Sequence, residues 1–284
     1  MTVGDTRADR DPHLLAFYAR HPISAGHIID KVKAARGHLD GVTAQDLWPH
    51  DQDHYGGLAA NAKLAERAGL KPGMRVADFC AGLGGPARWY AVTHDVDVTG
   101  IDITPERVKG AAELTALVGL ADRVRVAEGS VTDVPLDDAS MDAVVSQEAL
   151  LHVPDKRAAL AEAHRVLKPG GRLAFSDWVA PVPLAPDVAE DMWTGIAART
   201  LQSADGYVAW LEELGFSDVL VEDLTPEWAV VLAERQKMYA ALMEEAKRAG
   251  APAGDTAFAE SYVRFVEHVK AGRLGGVRVS GVRG

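Results

Sequence analysis

The chain has 284 residues, 48% hydrophobic and 25% charged, with a single cysteine, Cys80. That composition excludes a wholly disordered or collagen-like chain, and one cysteine excludes an internal disulfide or a multi-cysteine zinc site. Forty-one acids against thirty bases leave a net charge of −11, which repels nucleic-acid phosphates and anionic lipid and suits neutral or cationic small molecules. The N-terminus, MTVGDTRADRDPHLL, carries charges where a secretory apolar region would stand. No run of about 18 apolar residues occurs. The expectation is a soluble cytoplasmic protein with no membrane or nucleic-acid partner.

Residues 1–12 are polar and expected to fray. Apolar residues then recur at helical spacing from Pro12 to Leu39, with a break near His21-Pro22, and a second helix is expected over 58–68, ending at Gly69. The pattern changes at Lys71-Pro72-Gly73. Apolar strands are expected at 75–80, 96–102, 123–129, 141–147 and 172–179, with helices following the first, second and fourth. Further along, helices are expected at 186–200 and 204–214, a sixth strand at 218–224, helices at 226–249 and 255–271, and a last strand at 275–284. Strands alternating with helices predict an α/β fold, a Rossmann-like doubly wound sheet of seven mostly parallel strands. The division expected is a helical cap segment over 1–69, a ligand-binding core over 70–182, and cap insertions with the last two strands over 183–284.

The segment VADFCAGLGGPA (76–87) carries the most chemistry. Gly82 and Gly84 follow a strand and open a helix, where a ligand can approach the backbone and the helix N-terminus. Asp102 ends the next strand, where a carboxylate can accept from ribose hydroxyls. Gly82, Gly84 and Ala87 also satisfy the dinucleotide pattern G-x-G-x-x-A. Asp78 opposes that reading, because a carboxylate at the strand end repels a pyrophosphate and attracts an ammonium. The plainer alternative makes Asp78 a turn residue and the glycines mere loop.

With these residues in place, the chain resembles class I S-adenosylmethionine-dependent methyltransferases over about 70–180, through VADFCAGLGG, VTGIDIT, AEGSV and LKPGGRLAFSDW. DQDHYGG (51–57), CAGLGGPARW (80–89) and SQEALLHVPDK (146–156) are similar to the small-molecule sarcosine/dimethylglycine and tocopherol type. The resemblance implies S-adenosyl-L-methionine as cofactor. It implies Asp78 at the methionine end, Ala81, Gly82 and Gly84 along the nucleoside and methionine, Asp102 on the ribose and Ile103 against adenine. Ser130 and Val131 would meet the adenine edge, and Gln147 the methionine moiety. Cys80 stands where the family usually has glycine, and Ser130 where it often has aspartate.

Methyl transfer is an in-line displacement on an activated donor, so alignment and removal of water supply most of the catalysis. A base is needed only for an acceptor that must lose a proton. His152, Glu148 and Tyr55 are the candidate catalytic residues, with His152 either a base or a structural hydrogen-bonder. On a helix His50 and His54 would share a face, as metal ligands do, but without a third ligand no metal is expected. The run 48–55 reads better as a loop closing over the cofactor. Trp178, Trp193, Trp228 and Tyr207 could enclose an ammonium, though each singly reads as core. The expected partner is a small-molecule methyl acceptor, an amine by preference. The alternatives are an O- or C-methyltransferase of a phenolic or isoprenoid molecule, an NAD-dependent oxidoreductase and a non-catalytic nucleoside-binding protein.

Overall fold

The structure is a computed structural model that describes residues 11–19, 21, 23–248 and 257–284. The segment expected to fray lies almost wholly outside these. Four helices precede the sheet: α1 (Pro12–Ala19), α2 (Ala25–Arg36), α3 (Ala44–Leu47) and α4 (Gly57–Ala68). The alternation follows: β1 (Arg75–Phe79), α5 (Gly85–His94), β2 (Asp97–Asp102), α6 (Pro105–Leu117), β3 (Val124–Glu128) and β4 (Met141–Gln147). A 3-10 turn at Leu150–His152 leads to α7 (Lys156–Val166), β5 (Leu167–Val179), α8 (Pro186–Ile196), α9 (Ala204–Glu213) and β6 (Phe216–Asp223). The chain closes with α10 (Thr225–Arg248), α11 (Ala257–Lys270) and β7 (Gly275–Arg283).

The seven strands form one sheet in the order β3-β2-β1-β4-β5-β7-β6. β1 to β5 run parallel, and β7 lies antiparallel between β5 and β6. The expected fold class is therefore the one observed. β1 and β4 are neighbours, yet the connections leaving them run to opposite sides. That reversal opens a crevice at their carboxyl ends, where ligands of such sheets bind.

Side-chain alternation along the strands feeds two cores. On one face Val76, Val98, Ala143, Val145 and Ala174 pack with Leu64 and Ala65 of α4 and Ala87 and Tyr90 of α5. On the other, Phe79, Val144, Leu173 and Phe175 pack with Leu160 and Ala163 of α7 and Tyr207 and Leu211 of α9. A third core beyond the end of β5 joins Trp178 to Val188 and Met192 of α8, Trp228 and Leu232 of α10, and Phe265 and Val266 of α11.

Several boundaries differ from the sequence reading. β5 begins at Leu167 because that residue pairs with Met141, and a register shift between Met141 and Ala143 absorbs the turn at 168–171. α8 stops at Ile196, since Ala197 takes a left-handed φ of 53°. Not all of the N-terminal segment is cap. α4 turns its small buried face to the sheet, and Ile28 and Val32 of α2 pack with Leu114 of α6. Of the described N-terminal residues, those of α1, His21, Ile23 and the loop at 51–55 reach over the carboxyl edge. Among the described residues no helix is long and apolar enough to cross a membrane.

The cap is keyed to the sheet at Gly276, where a β-carbon would stand 2.3 Å from Cε3 of Trp228. The indole of α10 thus lies directly on the β7 backbone. Gly276→Ala is expected to cost about 1–3 kcal/mol by overpacking, read as a lower urea midpoint.

Candidate active site

β1 delivers Asp78 to the crevice, and the chain then turns sharply. Cys80 takes a left-handed φ of 60°, the conformation that favours glycine. Ala81 N–H donates to the Ile101 carbonyl (3.1 Å), and Gly82 N–H donates to Asp102 Oδ2 (2.8 Å). Asp102 Oδ1 accepts from Thr104 N–H (2.9 Å), so the carboxylate that ends β2 fastens the glycine loop to the next turn. Burial raises its pKa.

One cavity runs across these strand ends. Asp78, Ala81, Gly82, Asp102, Ile103, Ser130, Val131 and Gln147 all line it. Gly84 does not. It precedes α5 with a φ of 73°, and a β-carbon there would lie 3.1 Å from Arg88 Nη1, so its place is set by packing on Arg88. Asp78 is buried and its Oδ2 has no hydrogen-bond partner. Burial, helped by the nearby Asp102, pushes its pKa up to about 8. Ser130 Oγ accepts from Thr132 N–H (3.1 Å).

The loop 51–55 crosses the cavity, and each of its residues is tied down. Arg88 Nη2 donates to Asp51 Oδ2 at 3.0 Å with both side chains fully buried, while Nη1 of the same arginine donates to the Leu83 carbonyl (2.8 Å). Asn61 Nδ2 donates to Gln52 Oε1 (2.7 Å), and Arg107 Nη1 donates to Asp53 Oδ2 (3.1 Å). His54 Nδ1 lies 3.1 Å from both Gln147 Nε2 and the Tyr55 carbonyl, and its Nε2 faces Gln52 Oε1 (3.1 Å). Tyr55 N–H donates to both carboxyl oxygens of Glu148 (2.9 and 3.1 Å). His54 therefore serves the loop itself. Among the described residues no group of three potential metal ligands forms.

A second cavity of about 330 Å³ adjoins the first and shares Tyr18, Asp53, His54, Glu148 and His152 with it. Tyr55 lines only the second, and its hydroxyl lies 2.5 Å from that of Tyr262. Trp178 also lines it. Trp193, by contrast, is covered by the Arg199 guanidinium (3.8 Å) and stacked on His13 (4.1 Å), while Tyr207 and Trp228 are core.

His152 stands at the junction. Its Nδ1 faces the Ala197 carbonyl (3.4 Å), and its Nε2 lies 3.0 Å from the Tyr18 hydroxyl. A carbonyl only accepts, so the proton sits on Nδ1 and Tyr18 donates to Nε2. Burial drives the pKa of His152 down to about 4. Burial likewise raises those of Glu148 and Tyr55 well above their usual ranges. Glu148 also holds a left-handed φ of 52°. Thus Cys80 after β1, Glu148 after β4 and Ala197 after α8 all carry strained backbone around the two cavities.

Sequence reasoning missed Tyr18, Arg107 and the Asp51–Arg88 pair. Arg107 stacks on Tyr18 at 4.5 Å and ties α6 to both α1 and the loop. Nothing in the periodicity of α1 distinguishes Tyr18 from a core tyrosine. The consecutive Gly84-Gly85 was a signal for the loop, since a β-carbon on Gly85 would lie 1.9 Å from the Asp51 carbonyl oxygen.

Residues 77–175 match the family described as "Methyltransferase domain". The chain carries a methyltransferase domain. The resemblance read from the glycine loop and its companions is thereby borne out. The chain is 33% identical over 177 residues to sarcosine/dimethylglycine N-methyltransferase of Aphanothece halophytica, covering 61% of this chain and 64% of that protein. It is 35% identical over 173 residues to 27-O-demethylrifamycin SV methyltransferase of Amycolatopsis mediterranei, covering 58% and 64%. The chain spans less than two thirds of the length of these curated relatives. The fold matches Haemonchus contortus phosphoethanolamine N-methyltransferase 2, solved with phosphomonomethylethanolamine and S-adenosylhomocysteine. That match has a TM-score of 0.74 at 18% identity and covers 95% of this chain and 60% of that one.

Breaking the buried ion pair from one side leaves an uncompensated charge. Asp51→Ala is expected to cost about 3–5 kcal/mol. Arg88→Met added to it should restore part of that loss, a double-mutant cycle readable by denaturant unfolding.

Proposed function

We propose that the methyltransferase domain transfers a methyl group from S-adenosylmethionine to a small-molecule nucleophile held in the second cavity, with an amine as the favoured acceptor. The observation that carries the reading is the buried Asp78 carboxyl with an unpartnered oxygen, set at the sheet's crevice. A buried carboxyl oxygen without a partner costs free energy until one meets it, and an ammonium, which favours the ionised carboxylate, is a fitting partner. A nicotinamide dinucleotide would instead bring its pyrophosphate against that carboxyl. When bound, S-adenosylmethionine supplies an activated methyl group on a sulfonium.

The chain's own residues then do the following. Asp78 holds the amino-acid end, and Asp102, already fixed by Gly82 and Thr104, presents its remaining lone pairs to the ribose. Ile103 and Val131 give apolar cover, with Ser130 at the rim. The loop 51–55 excludes water from the junction. Tyr18 presents its hydroxyl between the cavities, held by His152 Nε2.

Burial holds His152 in its neutral form, with a pKa of about 4, and raises the pKa values of the Glu148 carboxyl and the Tyr55 hydroxyl. In this reading an amine enters in its neutral form, and His152 works by orienting Tyr18. The likeness to an N-methyltransferase of sarcosine and dimethylglycine supports an amine. The likeness to the 27-O-demethylrifamycin SV methyltransferase supports a hydroxyl acceptor as the second reading.

The cofactor assignment is tested by calorimetry with S-adenosylhomocysteine. With its pKa raised from 3.8 to about 8, Asp78 binds a proton more tightly folded than unfolded. The ligand-free protein should therefore lose stability as pH rises through that window. An ammonium beside Asp78 returns it to the ionised form, so binding at pH 7 should release roughly one proton, and Asp78→Asn should abolish the release. Equal affinity and no proton release in either protein would overturn the assignment.

The role of His152 is tested by the pH–rate profile with an amine acceptor that turns over. The profile should show no break near about 6.5 and an acid limb only toward pH 4, where protonation of Nε2 breaks the bond from Tyr18. A break at the ordinary histidine value that vanishes in His152→Ala would make His152 the base instead.

A further inference from the structure

Helix α7 begins with a cation at the end where the helix dipole disfavours one. Lys156 is its first residue, yet it is only 3% exposed. Its ammonium has three protons, and three close oxygens take them: the Val153 carbonyl at 2.9 Å, the Thr200 carbonyl at 2.7 Å and Thr200 Oγ1 at 2.8 Å. The Leu151 carbonyl stands slightly farther off, at 3.5 Å.

Two of these oxygens belong to the residues that flank His152. The other two belong to the segment just beyond Ala197, the residue whose carbonyl meets His152 Nδ1 and whose own φ is 53°. A second buried group grips the same turn from β5. Asp177 Oδ1 accepts from Leu151 N–H (2.9 Å), and its Oδ2 accepts from the Tyr207 hydroxyl (2.6 Å). The turn that carries His152 and the segment that supplies its carbonyl partner share no helix or strand. The Lys156 ammonium bonds to both.

We propose that Lys156 is a positioning residue: it clamps the 150–153 turn to the 197–200 segment so that His152 keeps its proton on Nδ1 and turns Nε2 to the Tyr18 hydroxyl. For its catalytic consequence the proposal rests on the methyl-transfer reading; for the tautomer it does not. A lysine that merely welded the loop would give stability alone, and its loss would leave the ring's proton where it was. The groups facing the ammonium are Asp177 on β5, with Tyr207 of α9 behind it, Cys80 after β1 and His152 itself. The positive charge of Lys156 opposes protonation of His152, and burial lowers the pKa of Lys156 to about 8.

The test is ¹⁵N NMR of the histidine side chains in the full chain, with His152→Gln used to assign its signals. Wild type should show His152 as a single tautomer with the proton on Nδ1. In Lys156→Met the two tautomers should mix, and the acid titration of the ring should move upward from its wild-type midpoint. Lys156→Gln, which keeps a donor without the charge, should retain more of the Nδ1–H form while sharing the upward titration shift. Binding of S-adenosylhomocysteine, measured by calorimetry, should stay unchanged in both, because Lys156 does not line the cofactor cavity. With an acceptor that turns over, kcat of Lys156→Met should fall by about 10²-fold, the scale of a misplaced reacting geometry, with KM for the cofactor unchanged.

A wild-type His152 protonated on Nε2 overturns the proposal, and so does a Lys156→Met protein that keeps the wild-type tautomer and titration. If Lys156→Met does not fold, Lys156→Gln and the wild-type spectrum decide the matter by the same criteria. Absence of methyl transfer from wild type to any amine, hydroxyl or thiol would sink the functional reading and leave the tautomer result standing.

Discussion

The site depends on one close approach. The carbonyl of Asp51 lies where a β-carbon on Gly85 would stand, so the loop 51–55 rests directly on the N-terminus of α5. From that contact the rest of the cover follows. Asp51 reaches Arg88, and Arg88 reaches back to the carbonyl of Leu83, so the glycine loop and its lid share one buried cation. The next four residues then fall opposite Asn61, Arg107, Gln147 and Glu148 in turn. These anchors lie on α4, α6 and the end of β4, which places the loop across the crevice. A buried ion pair of this kind adds little net stability over apolar packing, but it tolerates no other register.

The electrostatics of the two cavities share a direction. Asp78, Glu148, His152 and Lys156 are all pushed toward their uncharged forms, and burial is the leading cause for each. The surface does the opposite, with a net charge of −11 over the whole chain. The sequence reading took that outer charge as a guide to the acceptor. The walls of the second cavity are a closer guide, and they mix Arg235, His21 and Asp53 with tyrosines.

The alternation of strands and helices was legible because each strand is short, apolar and bounded by turn residues, and even β7, weakened by glycines, kept its place. The cavity wall was legible for the same reason, since Asp78, Gly82, Asp102 and Gln147 sit at strand ends that periodicity locates. What escaped were contacts across long separations. Tyr18 meets His152 across 134 residues, and nothing near either announces the other. The buried face of α4 was visible as a pattern, but a pattern of small residues does not say whether a sheet or a cap receives it. Gly84 and Gly85 read as one feature and serve two, one packing on Arg88 and the other on the loop.

The third hydrophobic core has a consequence for how such a chain can diverge. Trp178, Trp228, Phe265 and their neighbours form a cluster apart from the two that pack the sheet. α8, α10 and α11, which give the second cavity Ile196, Arg235, Met238 and Tyr262, draw their stability from this cluster. Residues facing that cavity from α8, α10 and α11 can therefore be exchanged while the cores under Asp78 and Asp102 stay as they are. An enzyme built this way inherits one half of its chemistry and is free to renegotiate the other.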